Sequence, residues 1–323
     1  MARVGELAML IRRPTDIPPP EITPQHVYEN RRRWLAAAGA AGVGSVFGLH
    51  GAHARAQAAD PFASLIKSPL SATGEALTPL KDVIATTRFR ELEEDIAANS
   101  AGLLTRPWTV VVDGEVLKPR TFDIDELMRL APMEERIYRM RCTEGWSLVI
   151  PYAGYPFAEI ARRVEPTGNA KFVEFTSILD PKNLRGQREV KYISWPYVEG
   201  LRIDEAMHPL TLVALGIYGA SLPKANGAPV AIRVPWKYGI KSPKAVVRIR
   251  FTEQQPQTVW TKHYPSSHSF WSNVNPEVSP RLFRSRATER RVGESGARPT
   301  LMFNGYAQQV AHLYAGMDPR AMY

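Results

Sequence analysis

The chain has one cysteine, Cys142, in 323 residues, so no intramolecular disulfide can form and a paired-cysteine metal module is excluded. HExxH helices and carboxylate-rich loops are also missing, which argues against a zinc or calcium site. The longest weakly apolar run, near residues 34–48, is shorter and poorer in leucine than the ~20 apolar residues a membrane span needs. There is no internal repeat, no low-complexity tract and no regular alternation of strand and helix, which speaks against a parallel α/β sheet. Glycines at 39, 42, 44 and 48 follow no strand and have the wrong spacing for a dinucleotide loop.

The N-terminal region reads instead as an export signal. "NRRRWLAAAGAAGVGSVFG", residues 30–48, sets three arginines before a run of small and apolar residues, and small-x-small sites follow in "AHARAQAAD". Paired arginines before a weakly hydrophobic stretch mark the twin-arginine route, which exports folded proteins. The expectation is a signal region over 1–58, cleavage near Ala58, and a single domain over 59–323 in the periplasm. Without residues 1–58 the formal charge falls from +9 to +6, which does not call for nucleic acid. About 265 residues can bury a core without disulfides.

Short strands dominate from residue 107 onward. "PWTVVVDGEVLKP" alternates around Asp113-Gly114, a dipeptide favoured in two-residue hairpins. "TFDIDELMRL" predicts a short helix capped by Thr121 or Asp123. "ERIYRMRC" reads as a strand, and "PYAGYPFAEIARRVEP" as a turn and helix. "AKFVEFTSI", "HPLTLVALGIYG", "APVAIRVPW" and "AVVRIRFTE" read as further strands, with "RPTLMFNGYA" in the tail; "FRELEEDIAANSAGLL" reads as helical. With 27 prolines, the chain fits an α+β, mainly β, loop-rich class better than a helical bundle.

Cys142 in "RMRCTEGWS" admits two readings. A free cysteine is commonly a small buried hydrophobe. As a nucleophile or metal ligand it would act as a thiolate, which nearby cations favour. Strand alternation puts Arg139 and Arg141 opposite Met140 and Cys142, so the arginines would act only weakly across the backbone. His208, His263, His268 and His312 read as surface or hydrogen-bonding residues. In "NGAPVAIRVPWKYGIKSPK", residues 226–244, Lys237, Lys241 and Lys244 surround Gly239 in a loop that either is a solvated basic loop or receives a small anion such as phosphate.

Taken together, "EERIYRMRCTEGWS", "WPYVEGLRIDEAMHPLTL", "NGAPV", "VPWKYGIKS" and "LMFNGYA" resemble the catalytic subunits of the periplasmic protein-methionine-sulfoxide reductases. These are molybdoenzymes of the sulfite-oxidase-type, molybdopterin-binding fold. The motifs occur in the same order over nearly the whole chain. The resemblance implies a Mo-molybdopterin cofactor whose metal takes Cys142 as its thiolate ligand, molybdenum being well served by soft sulfur donors. It implies pterin contacts at Glu91, Ser177, Asn226, Arg233, Ser242, Pro243 and Lys244. The family's asparagine-rich, aromatic stretch is Thr86-Thr87-Arg88-Phe89-Arg90-Glu91 here, and an arginine expected after "NGAPV" is Ala231, with Arg233 two residues on.

The activity so implied is reduction of methionine sulfoxide, free or in oxidised periplasmic proteins, by oxygen-atom transfer. Its electrons would come from quinol through a membrane haem-binding subunit with which the monomeric catalytic subunit forms a heterodimer. Arg139, Arg141 and Lys237 are expected at an electropositive mouth. Two other readings stay open, a sulfite-oxidising relative and an exported binding protein without redox activity.

Overall fold

The described residues fold around two β-sheets whose buried faces feed the main hydrophobic core. The computed structural model describes residues 60–322 apart from 72–73, 88, 93–98 and 279–286. The expected signal region therefore lies outside the described residues. Residues Ala58–Tyr323 make up one compact unit.

In chain order the strands are β1 (Ile66–Lys67), β2 (Thr109–Gly114), β3 (Arg120–Asp123), β4 (Glu134–Arg141), β5 (Trp146–Pro156), β6 (Phe172–Ser177) and β7 (Val198–Arg202). They continue with β8 (Leu212–Ile217), β9 (Ala220–Ser221), β10 (Ala231–Arg233), β11 (Val246–Thr252), β12 (Thr288–Arg291) and β13 (Arg298–Pro299). One sheet runs β3-β2-β11-β6-β7. In the other, β5 lies between β4 and β8, β10 pairs with β8, and β12 joins β5 at its first residues. Pairing is mostly antiparallel, with β1–β4, β2–β11 and β5–β12 parallel. Among the described residues only short helices intervene, in keeping with the α+β, mainly β class.

The smaller sheet shows the alternation visible in its sequence: Val110 and Val112 of β2, and Ile249 and Phe251 of β11, point inward between exposed neighbours. Strands β5 and β8 are buried on both faces, with all six residues of β8 buried. Phe157, just after β5, meets Phe175 and Phe251 at ring-centroid distances of 5.5 and 6.2 Å and so ties the two sheets together. Asp123 caps the helix Ile124–Leu127 by accepting the amide of Glu126 at 2.7 Å.

Three local expectations change. Asp113-Gly114 is no two-residue hairpin, because β2 runs on through Gly114 beside Phe251 of β11 and reaches β3 only through residues 115–119. "PYAGYP" is not a turn but the second half of β5; buried on both sides, it lacks the alternation that would mark a strand. "RPTLMFNGYA" forms only the two-residue β13 and then a 3-10 turn at Met302–Gly305, where Phe303 and Asn304 take left-handed φ of 50° and 55°. Of "FRELEEDIAANSAGLL", 3-10 turns form at Arg90–Leu92 and Ser100–Gly102 and Asn99 is helical, while the rest of the expected helix, residues 93–98, lies outside the described residues.

Strand β5 shifts register against β8 between Ala153 and Gly154. A Cβ on Gly154 would lie 1.9 Å from the carbonyl oxygen of Val213, a backbone atom that cannot swing aside. Gly154→Ala should therefore lower stability by ~1–3 kcal/mol in chemical denaturation, as overpacking does; an unchanged midpoint would show that β8 can move.

Candidate active site

Strand β4 ends at Arg141, and a tight connection of four residues, Cys142 to Gly145, returns the chain into β5. Cys142 donates its amide to the carbonyl of Trp146 at 2.9 Å, and Gly145 closes the turn onto the Cys142 carbonyl at 3.2 Å with φ of 95°, a conformation that favours glycine. The half-buried thiol opens into a cleft of about 980 Å³, its open mouth included. Its Sγ accepts the amide of Glu144 at 3.4 Å.

Of the eight residues expected at the site, seven line this one cleft: Glu91, Cys142, Asn226, Arg233, Ser242, Pro243 and Lys244. They come from three distant parts of the chain. The 3-10 turn Arg90–Leu92 brings Glu91, the turn after β4 brings Cys142, and residues 226–244, which contain β10, bring the rest. Ser177 does not line it. It sits fully buried at the end of β6, its amide on the carbonyl of Tyr197 at 2.9 Å, with no hydrogen-bond partner for its hydroxyl among the described residues.

Residues 226–244 are not a solvated basic loop. Lys237 is fully buried on Glu205 at 2.6 Å, and Lys241 is buried on Glu199 at 2.6 Å. Only Lys244 of the three lysines faces the cleft. Burial and the neighbouring Arg233 pull its amine down to about 8. Arg233 donates to the carbonyl of Asn226 at 3.0 Å and lies over the ring of Tyr152 at 5.2 Å. Gly227, with φ of 91°, lets the chain pass the Lys244 stem, whose Cβ would be 2.3 Å from any added methyl.

The expected electropositive mouth of Arg139, Arg141 and Lys237 is not there. Arg141 is buried away from the cleft on Glu289 at 3.0 Å and on the carbonyl of Thr288 at 3.0 Å; Arg139 pairs with Glu75 at 2.5 Å. The thiol follows suit. Burial, and then the Glu144 carboxylate, push Cys142 up to about 11, while Arg141 offsets them only in small part. The protein by itself keeps this sulfur protonated; a thiolate here needs a partner with positive charge.

Several lining residues carry no local sequence signal. Trp260 and His268 reach the cleft from the helix Val259–His263 and the loop after it, their rings 5.0 Å apart. Trp260 donates to the hydroxyl of Tyr197 at 2.9 Å, and that hydroxyl donates to the carbonyl of Ile240 at 2.8 Å. Phe89, Trp146 and Tyr152 complete the aromatic wall. His263, the partner of His268 in "HYPSSH", faces Ser194 instead at 2.9 Å from its amide.

Comparison with known proteins agrees with this geometry. Residues 98–260 match the family model described as oxidoreductase molybdopterin binding domain. The chain is 50% identical to the protein-methionine-sulfoxide reductase catalytic subunit MsrP of Burkholderia mallei, over 94% of each chain. It is 49% identical to the subunit of that name from Ralstonia nicotianae, over 95% of this chain and 96% of the other. The chain belongs to this family. The solved structure of the sulfane dehydrogenase SoxCD from Paracoccus pantotrophus gives a TM-score of 0.40 at 15% identity, over 72% of this chain and 60% of that one, a partial likeness from which nothing about the site follows.

A member of this family is a molybdopterin-dependent oxidoreductase, and the cleft suits that cofactor. Among the described residues no three His, Cys, Asp or Glu side chains converge on one point, so a metal at Cys142 would draw its other donors from something other than protein side chains. The buried Oδ1 of Asn226 and Nε of Arg233 have no hydrogen-bond partner in the described structure, one an acceptor and one a donor at the cleft. Lys244 and Arg233 supply the positive charge that a phosphate would meet.

Burial pushes the Glu91 carboxyl up to about 7, against opposing help from its own backbone and from Lys244. A folded-state value raised above the ordinary 4.5 means stability that is full below about 4.5 and declines as the pH rises to 7. Cofactor-free Glu91→Gln protein should lose part of that decline in a thermal-unfolding series between pH 4.5 and 7.5. Parallel curves for variant and parent would show that Glu91 ionises freely.

Proposed function

We propose that the chain reduces methionine sulfoxide, free or within oxidised proteins, to methionine at a molybdenum centre held by Cys142. The observation that carries this reading is the lone thiol opening into a cleft whose remaining polar groups suit a pterin and its phosphate. When bound, the cofactor supplies the two-electron centre that accepts the sulfoxide oxygen. Each turnover consumes two electrons and two protons and yields thioether and water. The electron source is proposed to be quinol, through a membrane haem-binding subunit that forms a heterodimer with this one.

The chain's own residues bind and orient. Cys142 gives the metal its protein sulfur, and Asn226, Arg233, Ser242, Pro243 and Lys244 hold the pterin and its phosphate. Glu91, near half-protonated at neutral pH, can donate a hydrogen bond from its carboxyl as well as accept one. Phe89, Trp146, Tyr197 and Trp260 give a methyl thioether an apolar, polarisable wall, since sulfur packs favourably against aromatic rings. Return of the polar sulfoxide to thioether restores packing in damaged protein cores.

Export by the twin-arginine pathway to the periplasm belongs to the same proposal. It rests on "NRRRWLAAAGAAGVGSVFG" followed by "AHARAQAAD", and on the advantage of folding around a cofactor before export.

Metal and pterin analysis of the purified mature protein, followed by turnover with a reduced dye and a methyl sulfoxide, tests the activity. Near-stoichiometric molybdenum with sulfoxide-dependent dye oxidation is expected. Response to sulfite alone would make it a sulfite-oxidising enzyme, and neither metal nor turnover would leave a binding protein. Cys142→Ser should unfold within about 3 °C of the parent yet lose at least ~100-fold in turnover, the harder oxygen being a poor substitute for the soft ligand. Parental rates in that variant would overturn the ligand assignment.

A further inference from the structure

One ion pair crosses the mouth of the cleft. Arg90 Nη2 lies 3.3 Å from Glu144 Oε1, and both side chains are about one-third exposed. The turn of Arg90 is closely packed: the helix Arg185–Glu189 lies so near it that a Cβ on Gly186 would fall 1.9 Å from the Arg90 carbonyl oxygen. The guanidinium also lies 6.0 Å from the ring centroid of Tyr192.

Glu144 stands on the opposite wall, in the turn that carries the thiol. Its amide donates to Cys142 Sγ, and its second carboxylate oxygen accepts the indole N–H of Trp146 at 3.2 Å. One side chain thus links the sulfur-bearing turn, the first residue of β5 and the far lip of the cleft. Nothing in the oxygen-transfer chemistry uses this pair.

We propose that Arg90 and Glu144 form a latch that holds the Cys142 turn in place, acting on the reaction as positioning residues through the sulfur. This rests on the reading of Cys142 as the functional thiolate. A latch and a mere electrostatic influence differ in sign. If the two residues acted only by their charge, losing Glu144 would favour the thiolate and losing Arg90 would disfavour it. A latch fails in the same way whichever half is removed.

The lone cysteine makes the test direct. Full-length protein produced in a host unable to make molybdopterin is alkylated with iodoacetamide at fixed pH, and the rate is followed by mass spectrometry. Arg90→Gln and Glu144→Gln should each raise the rate about tenfold by freeing the turn to open, and Arg90→Lys should stay near the parent. Addition of 0.5 M salt should speed the parent but not Arg90→Gln, because a part-exposed pair is screened. Opposite changes in the two variants, or changes under about twofold, overturn the latch. In cofactor-loaded protein, both Gln variants should lower kcat for a methyl sulfoxide by roughly tenfold with KM little changed. If the parent never loads molybdenum, the proposed function fails while the alkylation pattern still decides the latch. If the parent loads and turns over but the variants alkylate at its rate, the latch alone falls.

Discussion

Two buried ion pairs set the floor of the site. Lys241 on Glu199 and Lys237 on Glu205 draw the segment between β10 and β11 inward against β7 and the helix that follows it. Each charge would be costly alone. Removing one partner from a buried pair destabilises by about 3–5 kcal/mol, because the other is left unpaired. The structure surrounds both pairs with further partners. Lys237 also donates to the carbonyl of Trp271 at 2.9 Å and to Asn273 at 2.8 Å, and Glu205 accepts the Tyr314 hydroxyl at 2.5 Å. Glu199 accepts the amide of Gly200 at 3.3 Å.

From that clamp the geometry runs outward to the sulfur. With the side chains of 237 and 241 pinned below, Tyr238 meets Arg141 in a parallel bridge, and Gly239 passes so near Met140 that an added Cβ would stand 3.1 Å from its Sδ. The end of β4 is thereby fixed against the loop. Arg141, anchored on Glu289 and Thr288, holds the same strand end from the other side. Cys142 is the first residue past this double attachment, which is why its position depends on charges that never reach the cleft.

The sequence was most informative where chemistry is concentrated in short motifs. The family resemblance carried by "RMRCTEGWS" and residues 226–244 implied six of the cleft residues, and it implied Glu91 as the seventh. Orientation was not legible there: the lysine triplet looked like one cationic patch, but buried carboxylates from β7 and the next helix take two of the three. Arg141 likewise read as a possible mouth residue, though Glu289, nearly 150 positions away, buries it. Trp260 went unnoticed, and His268, read as a surface or hydrogen-bonding residue, is buried at the cleft, because the small cluster beside them joins Val190, Ile193 and Tyr197 to the distant Val259. Strand β5 was missed for the opposite reason: near-complete burial erases the period of two that marks a strand.

The protonation of the cleft's own groups fits the proposed cofactor. Burial keeps Cys142 protonated at neutral pH, so metal binding must expel that proton. Burial pulls the Lys244 amine down only to about 8, so it stays mostly charged at neutral pH and offers an arriving phosphate a cation. Such a ligand releases a proton at the sulfur, while its phosphate meets a positive charge already in place. A bare soft metal would answer only the thiol and a phosphate only the amine, whereas the proposed cofactor carries a group for each.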